Sequence, residues 1–143
     1  MSRDDVTVHV EDAREPVAKG TPPRRFVIVD AGMSELIRPA LYGARHAVMV
    51  VRQRPRFAPG RRVDVVGPVC ESADFLAEGQ SLPRDVRPGD LLVVRSAGAY
   101  GASMSSTYNA RPRAAEVMVE SGTARVIRAR ERIEDLWRDE SLG

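Results

Sequence analysis

Short apolar runs separated by turn residues constrain the fold of this chain more than any other feature. The clearest are Leu91–Val94 and Phe26–Val29, and near the N-terminus Val6, Val8 and Val10 alternate with polar residues. Continuous apolar runs of this length are typical of buried strands, and strict alternation is typical of a half-buried strand. Further strands are predicted at residues 47–52, 61–66, 116–119 and 124–127, and the last two flank Ser121-Gly122 as a predicted hairpin. The pattern predicts a mostly β fold, a Greek-key β-barrel or sandwich.

Helical signals are few and short. After the second predicted strand, Ser34 is suited to cap a short helix whose inner face carries Leu36 and Ile37. Pro39 keeps this helix short, because proline is tolerated only in the first turn. The tail from 130 to 138 has helical composition, and its apolar residues share one face. We therefore expect short helices and a C-terminal helical tail around the sheet.

Size and composition are those of one soluble globular domain. The chain has 143 residues, of which 43% are hydrophobic and 29% are charged. No apolar run approaches the roughly 20 residues that a membrane span requires, and the charged N-terminus is unlike a signal peptide. We expect a cytoplasmic protein without a membrane partner. Residues 1–24 are predicted to form a strand and a Pro/Gly-rich loop, and residues 25–143 a β domain, as one domain overall.

The scarcity of cysteine, histidine and lysine limits the chemistry that the chain can perform. One cysteine and two widely spaced histidines predict neither a disulfide framework nor an ordinary zinc site. The only lysine, Lys19, lies in a turn-rich segment. The net charge is +2, and the arginine clusters at 52–56 and 60–62 lack interleaved aromatic residues. This pattern favours a solvated basic surface over a nucleic-acid interface.

Three groups of residues have chemistry that a site could use. Cys70 and Glu71 follow a glycine-proline turn where a predicted strand meets a loop, before a brief apolar patch at 75–77, and they can act as proton donor and recognition group. The alternative is a buried structural thiol beside a surface acid. Arg38 and Tyr42, four residues apart, can share a helix face and bind a carboxylate, or be an ordinary surface pair. Tyr100, between two glycines, can donate to a phosphate oxygen or simply pack at a strand end.

Several longer motifs occur together, in an order that carries more information than any one of them. They are VDAGM at 29–33, LIRPALY at 36–42, VGPVCES at 66–72, GAYG at 98–101, SMSS at 103–106, YN at 108–109 and RPR at 111–113. Together they resemble the C-terminal domain of the diaminopimelate decarboxylases, over about residues 25–137. That family consists of pyridoxal-phosphate enzymes with an N-terminal (β/α)8 barrel and a C-terminal β domain.

The resemblance implies a role for each candidate residue in the conversion of meso-2,6-diaminopimelate to L-lysine and CO2. Cys70 is the implied proton donor to Cα after CO2 leaves, and Glu71 the partner of the distal ammonium group. Arg38 and Tyr42 are implied to hold the distal carboxylate, and Tyr100 to touch the cofactor phosphate and lie near the substrate. These roles suit the residue types, since thiols hold a proton at neutral pH and an arginine fork matches a carboxylate.

The resemblance also implies a partner. In the family the active site lies at a homodimer interface, and the Cys-Glu pair enters the partner's barrel. This sequence contains neither the barrel nor the lysine that binds the cofactor, so we expect these residues alone to be inactive and to act with a barrel subunit or domain in a homo- or hetero-oligomer. An alternative is a non-catalytic β domain that binds and regulates decarboxylase subunits.

The sequence departs from the family pattern at Ala73, Arg45 and Thr107. Ala73 is the departure of most consequence, because glycine is usual there and the turn can require a conformation that only glycine adopts readily.

Overall fold

Residues 6–14, 25–51 and 59–141 are described by the computed structural model, with the backbone alone for residues 6–14. Within them the strands are β1 (Val6–Arg14), β2 (Phe26–Val29), β3 (Val48–Val50), β4 (Gly60–Val66), β5 (Phe75–Pro83), β6 (Leu91–Val94), β7 (Glu116–Glu120) and β8 (Thr123–Arg128). The helices are α1 (Arg38–Tyr42), α2 (Gly98–Met104) and the 3-10 turns Tyr108–Ala110 and Ile133–Trp137. The predicted mostly β fold with short helices and a helical tail is confirmed. The predicted loop at 16–23, Lys19 and the basic cluster at 52–56 lie outside the described residues.

Six strands form one sheet in the order β3-β6-β1-β2-β4-β5, and β7 and β8 form a separate hairpin. Neighbours in the sheet are antiparallel except β2 and β4, which run parallel with Phe26 opposite Asp64. The two end strands, β3 and β5, lie close enough for a side-chain contact. The Gln80 side chain on β5 donates a hydrogen bond to the Val48 carbonyl on β3 at 3.3 Å.

Valine and leucine side chains from one face of the sheet form the core. Val29, Val65 and Leu92 are fully buried, and Leu36 packs among them from the turn after β2. Burial of a side chain of this size stabilises the fold by about 1.5–3 kcal/mol. The short apolar runs are thus strands because their side chains supply the core.

Strand β5 is longer than its apolar pattern predicts. The sequence shows only a brief apolar patch at 75–77, whereas the strand continues through Glu78 and Gly79 to Pro83. As an end strand of the sheet, β5 needs few apolar residues on its outer side. Gly79 has a positive φ of 60° and its N–H donates to the buried Asp64 carboxylate at 2.7 Å, where the register with β4 shifts. A side-chain hydrogen bond thus maintains the pairing across the irregularity.

The helices differ from their sequence predictions. Helix α1 begins at Arg38, preceded by Ile37, so Ser34 does not cap it. Ser34 is instead buried in a turn, where its hydroxyl contacts the Tyr108 carbonyl at 3.5 Å. The small-residue segment after β6 forms helix α2, which no apolar periodicity had indicated.

The C-terminal extension, residues 111–141, contains the hairpin and the final 3-10 turn. Its apolar side chains Val117, Val126, Ile127, Ile133 and Trp137 are exposed. Glu131 accepts hydrogen bonds from the Arg113 backbone N–H at 2.8 Å and guanidinium at 3.0 Å, which tie the tail to the segment before the hairpin. None of the helices in the described part of the chain is long and apolar enough to cross a membrane.

Candidate functional site

A turn of residues 32–36, here called the central turn, follows β2 and connects it to α1. Its backbone closes through the N–H groups of Glu35 and Leu36, which donate to the Gly32 carbonyl at 3.0 and 3.1 Å. The Glu35 carboxylate accepts the Gly32 N–H at 2.7 Å, and Leu36 anchors the turn in the core. The central turn is therefore fixed both by its own hydrogen bonds and by burial.

Helix α1 carries Arg38 and Tyr42 on a single turn. Pro39 occupies its first turn and Gly43, with φ of 62°, ends it in the left-handed conformation that glycine adopts without strain. Tyr42 is 64% exposed. The Arg38 Nε atom is buried and has no hydrogen-bond partner among the described residues. One edge of the guanidinium is thus fixed by packing.

Helix α2 places Tyr100 against Arg38. The Arg38 Cζ atom lies 4.2 Å from the centre of the Tyr100 ring, a cation–π distance, while Tyr100 is 55% exposed. The segment after α2 is joined to the central turn, because the Ser106 N–H donates to the Ser34 carbonyl at 2.9 Å. Two residues that are 62 positions apart in sequence therefore form one contact. A guanidinium packed on one exposed phenol, with a second exposed phenol on the same short helix, is suited to bind an anion such as a carboxylate or phosphate.

Cys70 and Glu71 lie in the loop of residues 67–74 between β4 and β5, as predicted from the sequence. The Glu71 N–H donates to the Val69 carbonyl at 2.8 Å, so the loop turns sharply at Cys70. Both side chains are exposed, and the Glu71 carboxylate accepts the Ser72 hydroxyl at 3.2 Å. The alternative of a buried structural thiol is therefore wrong.

Asp74 closes this loop and was not identified from the sequence. Its side chain is 4% exposed, and its carboxylate accepts the N–H groups of Met33 and Val69, each at 2.6 Å. A Cβ atom at Gly32 would lie 2.5 Å from that carboxylate, and one at Gly67 would collide with it. Both glycines are thus required by the close approach. The nearest sequence signal is a pair of glycines that each follow a predicted strand, but their shared partner is not apparent from spacing.

Ala73 does not strain the loop. It is absent from the residues with positive φ in the described chain, so this position makes no demand that only glycine can meet. The concern that alanine here would distort the turn is therefore not supported.

The predicted site residues form two groups within this chain. Arg38 contacts Tyr100, and Tyr42 shares the helix of Arg38. In the described part of the chain, no hydrogen bond or ion pair joins Cys70 or Glu71 to this group. Both groups are nevertheless attached to the central turn, one through Asp74 and the other through α1 and Ser34.

Two carboxyl groups of the C-terminal extension have lowered pKa values. The backbone N–H of Arg113, together with its guanidinium, holds the pKa of Glu131 below its usual range. The backbone N–H of Arg132 and the charge of Arg138 do the same for the pKa of Asp135. Among the described residues, no group of three or more His, Cys, Asp or Glu side chains is arranged to hold a metal ion.

Comparison with known proteins gives consistent results. The model of the pyridoxal-dependent decarboxylase family, C-terminal sheet domain, matches residues 6–98. The diaminopimelate decarboxylase of Pseudomonas aeruginosa is 53% identical over 124 residues, which cover 87% of this chain and 29% of that protein. That of Helicobacter pylori is 44% identical over 97% of this chain and 37% of the relative.

Among solved structures, the diaminopimelate decarboxylase from Helicobacter pylori complexed with L-lysine superposes with a TM-score of 0.80 at 42% identity. The match covers 94% of this chain and 31% of that structure. The chain thus spans about a third of the length of the relatives that it matches.

Proposed function

Because the chain belongs to the pyridoxal-dependent decarboxylases as a C-terminal sheet domain, we propose that it forms the C-terminal half of a diaminopimelate decarboxylase. The reaction is the removal of CO2 from meso-2,6-diaminopimelate to give L-lysine. A pyridoxal-phosphate-binding barrel, which these residues do not include, completes the enzyme. The observation that carries the proposal is the contact between Arg38 and Tyr100, with Tyr42 exposed on the same helix.

Arg38 and Tyr42 are suited to bind and orient the distal carboxylate of the substrate. The guanidinium supplies a fixed positive charge with several donors, and the Tyr42 phenol adds one donor. The packing of Arg38 against Tyr100 restricts the guanidinium before substrate arrives, which reduces the entropy lost on binding. The complex of the Helicobacter pylori relative with L-lysine supports a site for an amino acid of this length.

Cys70 and Glu71 supply the other half of the chemistry. The thiol holds a proton at Sγ for delivery to Cα, and the Glu71 carboxylate accepts the distal ammonium group of the substrate. Both side chains are exposed, and no hydrogen bond or ion pair joins them to the arginine-tyrosine group in the described residues, which suits delivery into the active site of a neighbouring subunit.

The described residues fit only the edge of a cofactor site. The exposed phenol of Tyr100 is suited to a phosphate oxygen, and the described ranges contain no lysine. When bound, pyridoxal phosphate supplies the electron sink that decarboxylation requires. A barrel would hold most of this group, and Tyr100 would bind its phosphate from the β domain.

Reconstitution tests the proposal directly. The barrel portion of the Pseudomonas aeruginosa relative is expressed separately and mixed with this chain, cofactor and meso-diaminopimelate, and lysine is measured. We expect lysine only from the mixture, a fall in kcat of about 100-fold or more for Cys70→Ala, and a rise in KM for Arg38→Gln. Arg84→Gln, an exposed arginine after β5, is the matched control. No lysine from the mixture, and none when the same barrel is fused to this chain, would overturn the proposal.

A second candidate function is regulation of decarboxylase subunits without catalysis. The exposed apolar side chains of the C-terminal extension favour it, because a surface of this kind is typical of a protein interface. Titration of this chain into the full-length Pseudomonas aeruginosa enzyme distinguishes the two candidates. A regulator that competes for the subunit interface lowers lysine formation as it is added, whereas unchanged or raised activity counts against regulation.

A further inference from the structure

Asp74 contacts two segments that carry different parts of the proposed site. One carboxylate oxygen accepts the Val69 N–H, one residue before Cys70, and the other accepts the Met33 N–H in the central turn. Through its backbone, Asp74 also donates to the Glu71 carbonyl at 3.0 Å and accepts the Gly67 N–H at 3.0 Å. Four hydrogen bonds of one residue therefore define both the shape of the loop and its attachment to the rest of the chain.

The surroundings of the carboxylate leave it little freedom. Gly32 and Gly67 approach it so closely that a methyl group at either position would overlap it. The two oxygens are both occupied by backbone donors, and a charged acceptor makes stronger hydrogen bonds than a neutral one. A carboxylate that is buried and used entirely by backbone N–H groups is a structural anchor rather than a group that reacts.

We infer that Asp74 is a positioning residue, which fixes the Cys70–Glu71 loop against the central turn and thereby holds the thiol in position on the sheet domain. The inference rests on the proposed function for its relevance to catalysis. It is nevertheless a statement about this chain alone, so it can be tested without a barrel. Loss of the carboxylate should free the loop selectively, because the β4–β5 pairing and the core do not depend on it.

Asparagine at position 74 keeps the shape but turns one acceptor into a donor that faces a backbone N–H. We expect Asp74→Asn to accelerate amide exchange at Val69 and Met33 about tenfold, the factor that corresponds to 1.4 kcal/mol. A nitroxide attached to Cys70, the only cysteine, should become more mobile in its electron paramagnetic resonance spectrum. Asp64→Asn is the matched control. Asp64 is also buried and also accepts a backbone N–H, but the donor is Gly79 on β5, away from the Cys70 loop.

The spectrum at Cys70 separates positioning from general stability. Asp64→Asn should leave this spectrum unchanged, even where it lowers the denaturation midpoint as much as Asp74→Asn does. If Asp74→Asn does not fold, Gly32→Ala provides a second test, because its Cβ would meet only the Asp74 side chain and would displace the intact carboxylate. Unchanged exchange at Val69 and Met33 and an unchanged spectrum in the folded variant would overturn the inference. Loosening of the loop by Asp64→Asn to the same extent would also overturn it. Failure of reconstitution bears on the proposed function alone.

Discussion

The six-stranded sheet and the C-terminal extension are stabilised in different ways. In the sheet, β2, β4 and β6 bury valine and leucine side chains completely, as at Leu92. In the extension every residue of β8 is exposed, and Val126 retains 63% of its accessible surface. The extension is held by the backbone pairing of β7 with β8 and by ion pairs, including Arg128 with Glu116 at 2.6 Å. The sheet therefore supplies its own core, whereas the extension presents apolar surface that association with another domain would bury.

The candidate site lies on the six-stranded sheet, the region that supplies its own core. Arg38, Tyr100 and the Cys70 loop are each attached to the central turn, which Leu36 anchors in the core of the sheet. Groups that bind substrate need to be held by a rigid support if their geometry is to be productive. We therefore expect the sheet to carry the groups that bind substrate and the extension to contribute to association.

The largest effect is expected from a cavity in the sheet. Leu92→Ala should lower the free energy of unfolding by about 2–5 kcal/mol, because it removes a fully buried side chain. Val126→Ala, in the exposed strand of the extension, should change it by less than about 0.5 kcal/mol. Urea denaturation of the two variants measures the difference. Equal losses would mean that the extension shares the core, and the comparison would fail.

Binding to a barrel should instead be more sensitive to changes in the extension than to changes in the sheet. Trp137 is 49% exposed in the extension, and exposed tryptophans at interfaces often dominate binding. Trp137→Ala should weaken binding to the separately expressed barrel by about 2 kcal/mol, or roughly 30-fold, with little change in the stability of the chain alone. Met49→Ala is a matched control, since Met49 is equally exposed, at 49%, on the sheet. Calorimetric titration measures both affinities. Equal affinities of the two variants for the barrel would mean that the extension does not contribute to association.

The sequence predicts the parts of this molecule that depend on local pattern. The strands at 26–29 and 91–94 and the hairpin around Ser121 follow from apolar runs and turn residues. Helix α2 was missed because its small residues carry no apolar periodicity, and β5 because an end strand needs few apolar residues. Both elements were missed because their sequences lack the apolar patterns from which helices and strands are predicted.

The candidate site is harder to predict because its contacts are long-range. The residue types at Arg38, Tyr100 and Cys70 suggest chemistry, and the resemblance implies their roles, but no spacing indicates that Arg38 meets Tyr100. The Asp74 carboxylate reaches Met33, 41 positions away, through a backbone N–H that any residue type would supply. Tertiary structure alone reveals such a partner.

Acidification should affect the extension in a defined direction. The lowered pKa of Glu131 means that its pairing with Arg113 stabilises the fold above the usual glutamate pKa, about 4.3, and that this contribution is lost as the pH falls through the lowered value. Glu131→Gln should lower stability at pH 7 by less than about 1 kcal/mol, as for exposed ion pairs. Between pH 7 and pH 3 the natural chain should lose more stability than this variant. Thermal denaturation at both values tests the sign, and an equal loss in both proteins contradicts it.

The smallest effect concerns the turn of the hairpin. Ser121 and Gly122 both have positive φ, 49° and 78°, between the paired residues Glu120 and Thr123. Positive φ at both central positions is what a two-residue type I′ turn requires, and asparagine tolerates it better than serine. Ser121→Asn should therefore stabilise the hairpin by about 0.5 kcal/mol, a fraction of the usual cost of a left-handed residue.

Amide exchange in β7 and β8 measures this gain where it arises, since the extension can open without the sheet. Protection should rise about twofold in the two hairpin strands and stay constant in β2 and β6. Thr123→Asn, one position outside the turn and without positive φ, should give no gain. If Ser121→Asn also raised protection throughout the sheet, the two regions would unfold as one cooperative unit. The distinction between a self-sufficient sheet and an extension stabilised by association would then have to be abandoned.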